Sequence, residues 1–206
     1  MDANIDDNNY EDSAIGSEFS GIDRNGKRVM GVIPSKAIAT TCLINDPDFL
    51  WSVPDRWSLE EAATVPLVYS TVYYSLIIRG KLKRGERVLI HSGTGGVGQA
   101  AINVCLAMDC QLFVSVGSEE KKRFLVKQYP KLNANHLCSS RDLSFKRQIM
   151  CLTDGKGVDV VLNSLTEDKL KASLECLSTN GRFLEIGKYD MSINNDLGES
   201  LMKINL

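Results

Sequence analysis

Apolar and polar positions change their rhythm twice along the chain. From residue 15 to 57, short strand-like pieces such as KRVMGVI (27–33) and AIATTCLI (37–44) alternate with Gly16, Gly21, Gly26, Gly31, Pro34, Pro47 and Pro54. That is β-type spacing with turn signals. At Ser58 the rhythm becomes helical. The stretch 58–80 opens with a capping box, Ser58 and Glu61, is interrupted by Pro66 and can end at Gly80. From Arg87 onward apolar runs alternate with amphipathic stretches. Strands are predicted over 87–91, 111–116, near 135–138, 158–163 and 182–187, and helices over 96–108, 118–128, 143–152 and 167–177. The helix 96–108 sets Val97, Ala101, Val104 and Met108 on one face. Runs such as VLI, LFVSV and VDVVL lack polar alternation, as expected of strands covered on both faces. The pattern predicts an α/β fold: a doubly wound parallel Rossmann sheet preceded by a small β unit. Five strands are visible where the dinucleotide fold has six, so the sixth is expected to be truncated. Residues 1–14 are polar, acidic and Asn-rich, and are expected to be disordered.

Composition narrows the function. The 206 residues are 43% hydrophobic and 24% charged, with a net charge of −2, which speaks against a general nucleic-acid partner. No apolar stretch reaches the roughly 20 residues that span a bilayer, and the N-terminus lacks a signal-peptide core. Six cysteines, at 42, 105, 110, 138, 151 and 176, form no CxxC pair and mostly sit in apolar segments. They read as buried small hydrophobes in a reducing compartment, hence a cytoplasmic protein with no membrane partner.

The chemistry concentrates in HSGTGGVGQA, residues 91–100. Gly93-Thr94-Gly95-Gly96-Val97-Gly98 matches the dinucleotide fingerprint, with a strand before it and a helix after it. Gly93 would allow the tight turn, Gly95 the approach of backbone N–H groups to a pyrophosphate, and Gly98 close helix packing. The second strand of an NAD site commonly ends in Asp or Glu. Here it ends at Ser118, with Lys121, Lys122 and Arg123 following. A small donor and cations suit the 2′-phosphate of NADPH. The alternative is a solvated helix face paired to Glu119 and Glu120.

Several blocks together resemble one known family. GSEFSG, RVMG, EEAATVPLVYSTVYYSL, GERVLIHSGTGGVGQAAI, VGSEEK, GKGVDVVLNSL and GRFLEIGKYD are similar to the enoyl reductase domain of animal-type fatty acid synthase. Polyketide synthase modules are also similar. This is a zinc-free branch of the medium-chain dehydrogenase/reductase superfamily. Ser17 stands where zinc-dependent relatives carry a histidine ligand, so no metal is expected. The resemblance runs from about residue 15 to the C-terminus. It divides the chain into a partial GroES-like substrate domain over 15–57 and an NADP-binding Rossmann domain over 58–206.

The resemblance implies NADPH-dependent reduction of the trans-2 double bond of an enoyl thioester on acyl carrier protein. It implies further domains of a synthase chain as partners, and a possible homodimer of the full-length protein. A quinone or enal reductase, or a catalytically silent fragment, are the alternatives. Lys188 matches the lysine proposed as catalytic donor in the family; the other reading is a surface lysine. Thr71 matches a threonine near the nicotinamide. Asn163 ends a strand at the ligand-binding edge, where it could equally be a satisfied strand terminus. Tyr69, Tyr73 and Tyr74 are expected in a helix core, and His91 is expected to be structural. The family's acidic candidate would lie past Leu206, so the chain reads as a fragment of a longer multifunctional protein. The basic stretch RGKLKRGER (79–87) reads as a carrier-protein contact or as a solvated loop.

Overall fold

The computed structural model describes residues 15–187. The acidic N-terminal stretch, Lys188 and the region before a sixth strand lie outside the described residues. The chain forms two compact units dividing between Ser70 and Thr71.

In the first unit β1 (Glu18–Ile22), β2 (Arg28–Val32) and β3 (Leu50–Ser52) pair antiparallel in that order. Gly31 lies opposite Phe19, and a Cβ there would sit 2.7 Å from the Phe19 ring. Glycine is thus what lets the ring lie across the strand. The capping box forms as expected: Ser58 Oγ accepts the Glu61 N–H, and Glu61 Oε2 accepts the Ser58 N–H, opening α1 (Leu59–Ala62). Ser20 Oγ donates to the Leu59 carbonyl at 2.5 Å and Glu18 Oε2 accepts the Leu67 N–H at 2.9 Å. These bonds tie α1 and the start of α2 (Pro66–Val72) to β1, so the unit extends past the change of rhythm at Ser58. One expectation fails here. Residues 37–44 form no strand, and Ile38 and Leu43 are 73% and 84% exposed. Lys36, at φ 69, turns the chain away from β2, and an apolar run without a neighbouring strand has no ladder to join.

The second unit begins as α2 widens into a π-helical segment, Tyr73–Arg79, closed by the Gly80 N–H on the Ser75 carbonyl at 2.7 Å. Gly80 ends this helix in right-handed conformation. Its role is packing, since a Cβ there would lie 2.8 Å from Leu184 Cδ1. Val72 and Leu76 are buried, whereas Tyr73 and Tyr74 are 58% and 59% exposed. The expectation that these tyrosines fill the helix core is corrected. Leu76, four residues beyond Val72, points inward, and the adjacent tyrosines face out.

Five strands follow: β4 (Arg87–Ile90), β5 (Gln111–Val116), β6 (Leu137–Ser139), β7 (Val158–Asn163) and β8 (Leu177–Glu185). All pair parallel, in the order β6-β5-β4-β7-β8. The helices α3 (Gly96–Ala107), α4 (Glu119–Gln128), α5 (Ser144–Leu152) and α6 (Glu167–Leu174) connect them. Leu89, Phe113, Phe145, Ile149 and Val161 form the centre of the core. In α3 the buried positions are Gly98, Ala100, Ala101, Ile102 and Cys105; of the expected face only Ala101 is buried, while Val97, Val104 and Met108 are half-buried. Gly98 must face the turn before it, which leaves Val97 only half-buried. Cys105, Cys110, Cys138 and Cys176 are buried and unbridged, as expected, but Cys151 is exposed on α5.

Two polar arrangements lock the sheet. Arg87 donates to Asp159 through its backbone N–H (2.8 Å), Nε (3.1 Å) and Nη2 (2.8 Å), joining the bases of β4 and β7. Burial pushes the Asp159 carboxyl up, but these bonds outweigh it and hold it below the usual carboxylate range. At the other end of β4, His91 is buried between Ser115 Oγ (2.7 Å from Nδ1) and Ser173 Oγ (2.8 Å from Nε2). The Ser173 hydrogen is directed to the Lys169 carbonyl at 2.6 Å, so Ser173 accepts from Nε2–H and Nδ1 accepts from Ser115. His91 is therefore a neutral cross-brace, and burial pushes its pKa down to about 3.

The Asp159→Ala substitution should cost about 2 kcal/mol, because it strands a partly buried guanidinium and a backbone donor. Arg84→Ala, which breaks only the exposed pair with Asp109, should cost less than about 0.5 kcal/mol. Urea titrations of both variants test the contrast. A second expectation follows from His91, whose folded pKa lies below its unfolded value of 6.5. Between pH 6.5 and about 3 the unfolded chain binds a proton that the folded chain refuses. Stability should fall with pH across that window by up to about 1.4 kcal/mol per unit from this group. His91→Gln should flatten the slope; an unchanged slope would show that His91 does not carry it.

Candidate nucleotide-binding site

The segment between β4 and α3 lies at the carboxyl edge of the sheet, where the strand order reverses. Its tight turn is made by a residue the motif does not mark. Ser92, not Gly93, has the left-handed backbone, at φ 55. The Ser92 carbonyl accepts the Gly95 N–H at 2.9 Å. Gly93 serves a different purpose: a Cβ there would fall 2.1 Å from Val114 Cγ1 and 3.2 Å from Leu125 Cδ1. It lets the turn sit against β5 and α4. Gly98 packs as expected, with a Cβ there 2.4 Å from the Ser92 carbonyl. At Gly95 only that carbonyl, at 3.3 Å, lies nearby, so the outer side of the turn stays clear.

Gly95 is the N-cap of α3, and no side chain caps this helix. The first-turn N–H groups of Gly96, Val97 and Gly98 thus lack the usual intrahelical partner. Together with the helix dipole they make a place for an anion. Thr94 offers its carbonyl to Gln99 Nε2 at 3.1 Å, which steadies the turn.

One strand over, β5 ends at a recess of about 360 Å³ lined in part by Val116, Gly117, Ser118, Lys122, Leu137 and Ser139. Ser118 caps α4, its Oγ accepting the Lys121 N–H at 3.3 Å. Lys121 meets Ser118 through its backbone, whereas Lys122 lines the recess. Arg141, in the loop after β6, was not singled out by motif. Its Nε donates to the Gly117 carbonyl at 2.9 Å, and its Nη2 lies 3.3 Å from where a Gly117 Cβ would stand. No local pattern marks it: β6 is the parallel neighbour of β5, and only that pairing brings the loop after β6 beside Gly117.

Asn163 is fully buried at the end of β7. Its Nδ2 donates to the Leu165 carbonyl (2.7 Å) and to Glu185 Oε2 (2.6 Å), and its Oδ1 accepts the Leu165 N–H. The amide is committed to bracing the loops after β7 and β8, the satisfied-terminus alternative. Thr71 lies on α2, half-buried, its carbonyl accepting the Ser75 hydroxyl at 2.8 Å.

The residues present do not fit zinc. Ser17 donates to the Pro34 carbonyl at 3.4 Å, and Cys42 Sγ lies against the carbonyls of Lys36 and Ala37. Among the described residues no three His, Cys, Asp or Glu side chains gather as a metal set. No helix among them is long and apolar enough to cross a membrane.

Comparison with known proteins agrees with this geometry. Residues 96–204 match the zinc-binding dehydrogenase family model. The chain is 45% identical over 148 residues to polyketide synthase 37 of Dictyostelium discoideum, covering 72% of this chain but 5% of that one. Among solved structures, it is similar to the CurK enoyl reductase, with TM-score 0.74, 36% identity, and 85% of this chain and 54% of that one covered. The nucleotide-binding subdomain of the enoyl reductase domain of PpsC from Mycobacterium tuberculosis matches with TM-score 0.60 and 37% identity, covering 68% of this chain and 75% of that one. An all-parallel sheet, an uncapped glycine turn at its reversal point and these matches lead to one assignment: the chain belongs to the zinc-binding dehydrogenase family, in the enoyl reductase branch found in polyketide synthases.

Proposed function

We propose that the chain is the nucleotide-binding part of an enoyl reductase that uses NADPH to saturate the trans-2 double bond of an enoyl thioester held on acyl carrier protein. The observation that carries this reading is the uncapped turn at Gly95–Gly98, with a cation-bearing recess beside it at the ends of β5 and β6. In this reading the N–H groups of Gly96, Val97 and Gly98 hold the diphosphate. Lys122 and Arg141, with Ser118 between α4 and the recess, face the 2′-phosphate. Arg141 is the better partner, because a guanidinium can meet a phosphate through two parallel hydrogen bonds.

The bound cofactor would supply a hydride to the β-carbon of the enoyl group. The chain's own residues align that cofactor and stabilise charge on the thioester oxygen. Lys188 is proposed as the donor to that oxygen or as the proton source near C2. Thr71 is proposed to lie near the nicotinamide. Asn163 acts as a brace for the edge of the site, since its amide is already committed. The polyketide synthase relatives favour a reducing polyketide synthase over a fatty acid synthase as the parent chain. Acyl carrier protein and neighbouring synthase domains would then be the partners, and the whole protein a possible homodimer.

The chain should bind NADPH more tightly than NADH in fluorescence titrations. Arg141→Ala should weaken NADPH about tenfold and NADH less than about threefold. Lys122→Ala should act in the same direction, whereas Lys121→Ala should change little. Equal losses for both cofactors would refute the 2′-phosphate role. NADPH oxidation with a crotonyl thioester, compared with a quinone, tests the reaction itself. Faster quinone turnover would reassign the enzyme within the same superfamily.

A further inference from the structure

The chain leaves β4 toward β5 on one side and later returns to β7 on the other. The carboxyl ends of β4 and β7 therefore flank the crevice where a doubly wound sheet takes its ligand. Each end carries a serine. Ser92 stands in the turn after β4 and Ser164 directly after Asn163, and their hydroxyl oxygens lie 3.0 Å apart.

Neither serine is loosely held. Ser92 keeps a left-handed backbone that a non-glycine residue adopts only when its surroundings require it. Its carbonyl is bound to the Gly95 N–H and backed by Gly98. Ser164 is bracketed by the bonds from Asn163 to both the N–H and the carbonyl of Leu165. Two hydroxyls carry two hydrogens, and their mutual bond uses one. Among the described residues the other meets no protein acceptor, and Ser92 is exposed at the rim.

The position of the pair says what would receive that hydrogen. The strands β4, β5 and β6 form one mononucleotide half of the fold, and β7 and β8 begin the other. With the adenosine end in the recess by Ser118 and Arg141, a dinucleotide crossing β4 brings its second ribose to β7. We propose that the Ser92–Ser164 pair hydrogen-bonds the nicotinamide-side ribose or its phosphate, making Ser164 a residue that distinguishes a whole dinucleotide from its adenosine half. This rests on the NADPH reading above.

The test compares NADPH with 2′,5′-ADP, which keeps the adenosine, the 2′-phosphate and one 5′-phosphate but lacks the second ribose. Dissociation constants of both are measured for the full chain and for Ser164→Ala and Ser164→Thr. Ser164→Ala should weaken NADPH about fivefold, the loss of one neutral hydrogen bond, and leave 2′,5′-ADP within about twofold. Ser164→Thr, which restores a hydroxyl, should recover most of the NADPH affinity. Parallel weakening of both ligands would mean that the pair only latches the turn, and would overturn the proposal. Unchanged NADPH affinity in Ser164→Ala would overturn it as well. If the unsubstituted chain binds neither ligand, the NADPH reading falls and takes this proposal with it; if it binds 2′,5′-ADP and NADPH equally, only the contact beyond the first phosphate falls.

Discussion

Everything at the ligand edge depends on one close approach, the backbone of Gly98 against the carbonyl of Ser92. A Cβ at residue 98 would lie 2.4 Å from that oxygen, so any side chain there would push α3 off the turn. The same contact decides which face of α3 is buried, and hence how the helix lies on the sheet. The first turn of α3 has no side-chain cap, because its N-cap residue, Gly95, carries no side chain. The uncapped first turns of α5 and α6 show that a missing side-chain cap is not unusual in this unit; what sets α3 apart is that its free donors lie where the strand order reverses. Elsewhere, Ser58 and Ser118 cap α1 and α4 with their own oxygens.

The turn is held from several directions. His91 braces β4 against β5 and α6 from within the core, through two serine hydroxyls. Gly93 sits down on Val114, and its N–H bonds the Ser115 carbonyl at 3.0 Å. At the opposite end of β4, the Arg87–Asp159 pair clamps the strand to β7. A strand fixed at both ends presents its terminal turn in a defined position, which is what a preorganised phosphate site needs. Asn163 and Glu185 do similar work at the ends of β7 and β8.

The sequence carried much of this unit openly. Strands 111–116 and 158–163 match β5 and β7 because a strand covered on both faces is apolar along most of its length. The capping box at Ser58–Glu61 was legible because its bonds are local. Local pattern and structure part where a residue's environment comes from afar. AIATTCLI has the composition of a strand, but strand formation needs a neighbour with free edge groups. Tyr73 and Tyr74 have core composition, yet Val72 and Leu76, four residues apart, take the inward face and leave them outside. Gly93 fits the motif, but for packing on β5 rather than for the turn, whose left-handed residue is a serine.

What the sequence by itself determined was the class of fold, the glycine turn and the presence of cations after the second strand, since all are written in local pattern. Which cations lie at the end of β5 was decided only by the tertiary structure. Lys121 and Lys122 are adjacent in sequence but differ in direction on α4. Arg141 is distant in sequence and reaches Gly117 only because β6 pairs with β5. The meeting of Ser92 and Ser164 has the same origin. A parallel sheet places the ends of non-consecutive strands side by side, and no local pattern records which ends will be neighbours.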